Sequence, residues 1–207
     1  SNGTTTVDYL LSYLVNVNPN TFPLVPVHLE HAMARVDVDV QIANAMYKKD
    51  DGGNITDCHV QDISVSIEGI RRKATMLCLQ PKLYGEQGSH TWYISFDDSE
   101  SRAIYTSSNI DNSINNLEGT ENGISPDMSF IAVPVTNDEM EDYILTLKYK
   151  GNLSNTDYTY EFSLKDFSPL GWLNGHKVKY VLTIDNSIHL TGKILDYEDV
   201  DYIEAVI

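Results

Sequence analysis

The stretch Leu29–Val40, "LEHAMARVDVDV", decides the fold. It closes in a strict alternation of valine and aspartate, and successive side chains of a strand point to opposite faces. Val36, Val38, Val40 and Ile42 therefore line one face of a strand. Just upstream, Val27, Leu29, His31 and Met33 share the other parity. One extra residue near Ala34–Arg35 accounts for the change of phase, as in a β-bulge or a strand that bends between two sheets. His31 then shares its side with Val27 and Leu29, and the expectation is a core-facing imidazole hydrogen-bonded to backbone.

A ligand role for this histidine is disfavoured by spacing. His28 and His31 in "HLEH" stand three apart, which on a strand sends the rings to opposite sides, so one metal cannot take both. The order also departs from the H-E-x-x-H pattern of zinc helices. "DDGGNITD" (50–57) has the oxygen side chains of a calcium loop but adjacent glycines and no closing glutamate, and reads as a hairpin turn. No nucleophile elbow, phosphate-cradling glycine loop or dinucleotide fingerprint occurs, so the expectation is no enzyme, no metal and no cofactor.

Working outward, the chain is short apolar runs of period two between Gly/Asn/Asp/Ser turns. Ile63, Val65 and Ile67 form one run; Trp92, Ile94 and Phe96 another. The pairs 142–150 with 157–164, and 177–184 with 188–195, read as β-hairpins. With strands at 34–43 and 128–135, about eight strands are counted, and the fold class is an all-β, antiparallel β-sandwich with one wet face per sheet. Only "VDYLLSYLV" (7–15) has helical spacing, over a very short span. Residues 1–26 read as a connector, 27–197 as the sandwich, and 198–207 as a short acidic tail strand.

Composition excludes several partners. The 207 residues carry a net charge of −16, which opposes nucleic-acid phosphates and anionic lipid. No run approaches 18 consecutive apolar residues, so no membrane-spanning helix is expected. Apolar residues at 42% and charged ones at 21% place the chain among globular proteins, with a core of ordinary size. Cys58 and Cys78, 20 residues apart, fit either a bridge between neighbouring strands or two buried thiols. Tyrosine is abundant, with thirteen residues, but most aromatics of the strand runs, such as Tyr143, Tyr149, Tyr158, Tyr160 and Tyr180, share the apolar parity; Tyr93 and Tyr105 stay open as sugar-stacking candidates. A glycan-binding surface module is thus the alternative to a structural protein.

Three motifs, in order, resemble the fimbrillin family. "DYLLSY…VHLEHAMARVDVDV" is similar to its Asp-Leu-Leu box followed by a His-Ala-Leu-Ala-Lys/Arg-Val strand. "FIAVPV" (130–135) is similar to its proline-ended apolar strand. "GWLNGHKVKYVLTI" (171–184) with "IHLTGKILDY" is similar to its closing pair of strands. His31, Arg35, Pro134, Trp172, Gly175 and Tyr180 carry the match. The resemblance implies a transthyretin-like, Greek-key sandwich in a type V pilin or related surface lipoprotein of Bacteroidales. Such a protein is exported to the cell surface, outer-membrane-associated or fimbrial, and is not an enzyme.

It further implies strand donation between subunits, with other fimbrial subunits as partners and a host glycan or protein receptor as a further one. The family's first domain precedes the Asp-Leu-Leu box, and this sequence starts almost at that box. The assembly segment would be Asp196–Ile207. There Val200 and Tyr202 share one parity and Ile203, Ala205 and Ile207 the other, giving two short apolar faces instead of one long one. Stalk, tip and accessory positions are all compatible with it.

Overall fold

The structure is a computed structural model describing residues 10–12, 24–27, 29–43, 46–53, 55–79, 91–96, 102–106, 128–151, 155–185, 188–196 and 203–206. In chain order the strands are Leu10–Ser12 (β1), Leu24–Val27 (β2), Leu29–His31 (β3), Ala34–Ile42 (β4), Tyr47–Lys49 (β5), Ile55–Cys58 (β6), Val60–Ile70 (β7) and Thr75–Leu79 (β8). Thr91–Ser95 (β9), Ala103–Thr106 (β10), Met128–Ala132 (β11), Ile144–Gly151 (β12), Thr156–Ser163 (β13), His176–Ile184 (β14), Ile188–Asp196 (β15) and Ile203–Val206 (β16) follow. Two 3-10 turns, Asn137–Met140 and Leu164–Phe167, lie between strands.

Eight of these strands build the sandwich. One sheet runs β10-β7-β12-β13 and the other β11-β4-β14-β15. Each central strand obeys the alternation of its sequence. Ala34, Val36, Val38, Val40 and Ile42 are buried, with each residue between them half-buried. Ile63, Val65 and Ile67 of β7 face them from the other sheet, with Leu145 and Leu147 of β12. Val178, Tyr180, Leu182 and Ile184 of β14 complete the layer. Each such aliphatic side chain contributes about 1.5–3 kcal/mol by leaving water.

The two hairpins lie where the turn residues put them. β12 pairs with β13 from Ile144↔Ser163 to Gly151↔Thr156, and β14 with β15 from His176↔Asp196 to Ile184↔Ile188. Asp50–Gly53 closes the β5–β6 hairpin, with Gly52 N donating to Asp50 Oδ1 at 2.9 Å and Gly53 N to Asp50 O at 3.0 Å. That segment is a turn, as its adjacent glycines imply.

Four expectations need correction. The sheets are not purely antiparallel: β4 and β14 run parallel from Lys177↔Arg35 to Ile184↔Ile42. A hairpin forces only its own two strands to be antiparallel, and these two are far apart in sequence. Leu10–Ser12 is no helix but a strand paired with β3, Leu10 opposite His31. The phase change is a break at Ala32–Met33, before β4 begins, so Ala34 and Arg35 already belong to the regular strand. His31, at that break, is half-buried at the rim, whereas the next residue, Ala32, enters the core at 2% exposure.

Cys58 lies on β6, which pairs with β5, and Cys78 on β8, which pairs with β9. The two are therefore not on neighbouring strands of one ladder.

Candidate functional site

Two places merit attention: the segment after β15, and the region where the three motifs meet. The first is β16, which pairs antiparallel with β2: Ile203↔Val27, Glu204↔Pro26, Ala205↔Val25 and Val206↔Leu24. This ladder belongs to neither sheet of the sandwich, and among the described residues it has two strands. Of the assembly candidates, Ile203 and Ala205 lie on β16. Val200, Tyr202 and Ile207 lie outside the described residues.

The motif residues converge around the start of β14. Gly175, with φ of +68°, turns the chain into β14, a conformation glycine adopts without penalty. Its N–H donates to Met33 O at 3.0 Å, and the His31 carbonyl lies 3.5 Å from where a side chain at Gly175 would begin. The break after His31 and the Gly175 turn therefore fit against each other. Pro134 is buried and precedes Val135, whose backbone exchanges two hydrogen bonds with Trp172 (2.9 and 2.8 Å). Trp172 is fully buried, with its ring edge-on to Tyr143 (5.1 Å) and Phe130 (6.0 Å).

The indole Nε1 donates to the Tyr180 hydroxyl at 2.7 Å, and Ser168 Oγ bonds the same hydroxyl. Burial pushes the Tyr180 phenol up to about 12, against the opposing effect of those two bonds, so it stays neutral at any ordinary pH. A neutral, fully bonded phenol is a packing device and supplies no proton or nucleophile.

Arg35 sits on the outer face, and there sequence reading missed a network. Arg35 Nε meets Asp37 Oδ1 at 3.0 Å, Lys177 Nζ meets Asp37 Oδ2 at 2.8 Å, and Ser129 Oγ donates to Asp37 at 2.6 Å. Lys179 pairs with Asp39 one step along. Burial raises the Asp37 pKa, but the bonds from Lys177, Ser129 and Arg35 outweigh it and hold the carboxyl below the usual range. The signal was present: "VDVDV" and "KVK" carry opposite charge at one period, the pattern of strands side by side.

Among the described residues, several tyrosines pack on one another or on the core. Tyr149 stacks on Tyr158 (5.1 Å) and on Tyr160 (6.0 Å), leaving Tyr158, 36% exposed, as the outermost ring. Tyr105 stacks flat on Phe130 at 4.2 Å and packs against the core. Nothing is described of the Tyr93 side chain. Among the described residues, no three His, Cys, Asp or Glu side chains are grouped to hold a metal ion, and no helix is long and apolar enough to cross a membrane.

The chain matches no family model and no curated protein. It is distantly similar to two solved structures. One, a candidate cell adhesion protein from Bacteroides uniformis, is 12% identical with a TM-score of 0.44, over 83% of this chain and 52% of that one. The other, a candidate cell adhesion protein from Parabacteroides distasonis, is 13% identical with a TM-score of 0.43, over 84% of this chain and 55% of that one. The chain thus spans about half the length of the structures it matches.

Proposed function

We propose that the chain is a non-enzymatic structural or adhesive subunit of cell-surface fimbriae, exported to the outer membrane, that joins other subunits by strand pairing through Asp196–Ile207. The observation that carries the reading is the position of β16. The sandwich has its eight strands without it, and among the described residues β16 pairs with β2 alone, over four residues. A two-stranded ribbon is marginal in water, so this contact is cheaply exchanged for another. The order of the three motifs supports the same reading, as does their convergence on the β4–β14 seam. Partners are then other fimbrial subunits, with a host glycan or protein receptor at the distal surface.

Removing residues 198–207 tests it. The shortened chain should keep its melting temperature within about 2 °C, since a two-stranded ribbon contributes little. It should fail to join its native partners in pull-down from the cell surface, and a synthetic 196–207 peptide should compete with the intact chain for them. Unfolding of the shortened chain would make the segment part of the fold instead. Unaltered assembly would remove it from the mechanism.

A further inference from the structure

Three tyrosines of the β12–β13 hairpin bring their phenols together. Tyr149 of β12 faces Tyr158 of β13 directly across the ladder, with ring centroids 5.1 Å apart and planes inclined by 21°. Tyr160, the next residue on the same side of β13, lies on the diagonal at 6.0 Å, its plane within 9° of that of Tyr149. Aromatic side chains reach one another across such a diagonal. Exposure grades the three: Tyr149 is buried at 8%, Tyr160 is half-buried, and Tyr158 is 36% exposed. Burial holds the Tyr149 phenol above its ordinary range, and the hydrogen bond between its hydroxyl and that of Tyr160 adds to the effect. Tyr149 therefore keeps its proton, with a second phenol oxygen beside its own.

Stacked rings by themselves are ordinary packing. Tyr143 and Tyr180, for example, meet the indole of Trp172. Two adjoining hydroxyls go further, because the ring carbons next to the oxygens are the positions at which oxidised phenols join, and those carbons become neighbours too.

We propose that this stack is an oxidative cross-linking site, where an oxidant acting at Tyr158 leads to a carbon–carbon bond between Tyr149 and Tyr160. The oxidant is hydrogen peroxide used by a haem peroxidase, which can approach the exposed Tyr158 ring. The oxidised Tyr158 takes an electron from Tyr149, the ring it stacks on, and Tyr149 in turn takes one from Tyr160. A second oxidation, entering the same way, stops at Tyr149. Tyr149 and Tyr160 have then each lost one electron and the hydroxyl proton. The two radicals join at carbons beside their oxygens, and the hydrogens of those carbons move to the oxygens, restoring two phenols. The protein has given up two hydrogens in all, and the peroxide takes them to form two waters. The product ties β12 to β13 by a bond that disulfide reductants do not open.

The test treats the full chain, at low concentration, with hydrogen peroxide and a haem peroxidase. It reads the fluorescence of the biphenol and, by mass spectrometry after digestion, which tyrosines are joined. One cross-link within the chain, Tyr149 to Tyr160, is expected. Tyr160→Phe keeps the ring and should abolish it. Tyr158→Phe should slow its formation at least about tenfold without moving it. The wild-type chain unfolded in urea should lose the preference for this pair, a comparison that holds even if a variant fails to fold. A bond to Tyr158 in place of Tyr160, cross-links formed first between chains, the same product from the unfolded chain, or an unaltered rate in Tyr158→Phe would overturn the proposal.

Discussion

Trp172 and Tyr180, eight residues apart, meet edge to hydroxyl in the sealed centre of the sandwich, the indole N–H donating at 2.7 Å. Trp172 closes the bridge to Val135, and Tyr180 lies mid-strand on β14. The bond therefore ties the 168–175 crossover to the sheet it enters. Tyr180→Phe should cost about 1–3 kcal/mol in urea unfolding, because the buried Trp172 N–H loses its acceptor and the buried Ser168 hydroxyl its partner. Adding Trp172→Phe should cost less than its effect alone, a coupling that a double-mutant cycle reads directly.

Asp37 should make stability fall on acidification. Its folded pKa lies below the unfolded value near 3.8, so its contribution is complete above that value and lost as pH drops through the folded one. Wild type should exceed Asp37→Asn by about 1–2 kcal/mol near neutrality. The gap should close when melts are repeated from pH 4 downward. A gap unchanged at the lowest pH would mean the carboxylate charge is irrelevant.

Gly171 holds φ of +75°, and a side chain there would begin 2.1 Å from Val135 O. Gly171→Ala should therefore destabilise by at least about 2 kcal/mol, combining left-handed strain with a collision against backbone. Chemical denaturation measures it. The same change at Gly53, which has open space around it, should cost less.

Amide exchange at Ile203, Glu204, Ala205 and Val206 of β16 should be faster than at Tyr180 or Leu182 in β14, because a two-stranded ribbon opens more readily than the sandwich. Uniformly fast exchange would mean that the ribbon is not formed in solution.

The legible parts of this fold were the local ones. Tyr143–Tyr149 against Tyr158–Leu164, and Val178–Ile184 against Ile188–Leu190, are contiguous alternations across short polar turns, so strand, partner and register follow together. The parallel neighbour of β4 was not legible, because nothing near Val36 or Val38 in sequence names Val178 and Tyr180. Leu10 and Leu11 read as helix because a three-residue strand is too short to show a period, and pairing with β3 overrides local spacing. His31 was assigned by parity to the core, yet the break at Ala32–Met33 resets the faces and hands the buried place to Ala32. Of the assembly segment, its acidity and split parity could be read. Its resting partner, β2, could not, since pairing across the length of a chain leaves no local mark.

The parallel seam also dictates an order of events. Arg35 must wait for Lys177, about 140 positions later, before β4 gains that neighbour. Contacts of such separation fold slowly, because a long loop must close before any of them forms. In a chain emerging from its N-terminal side, the β4 edge that meets β14 stays without that neighbour until residues 177–184 have arrived. During that interval an escort for the growing chain, by binding this edge, would determine how much of it reaches the native state.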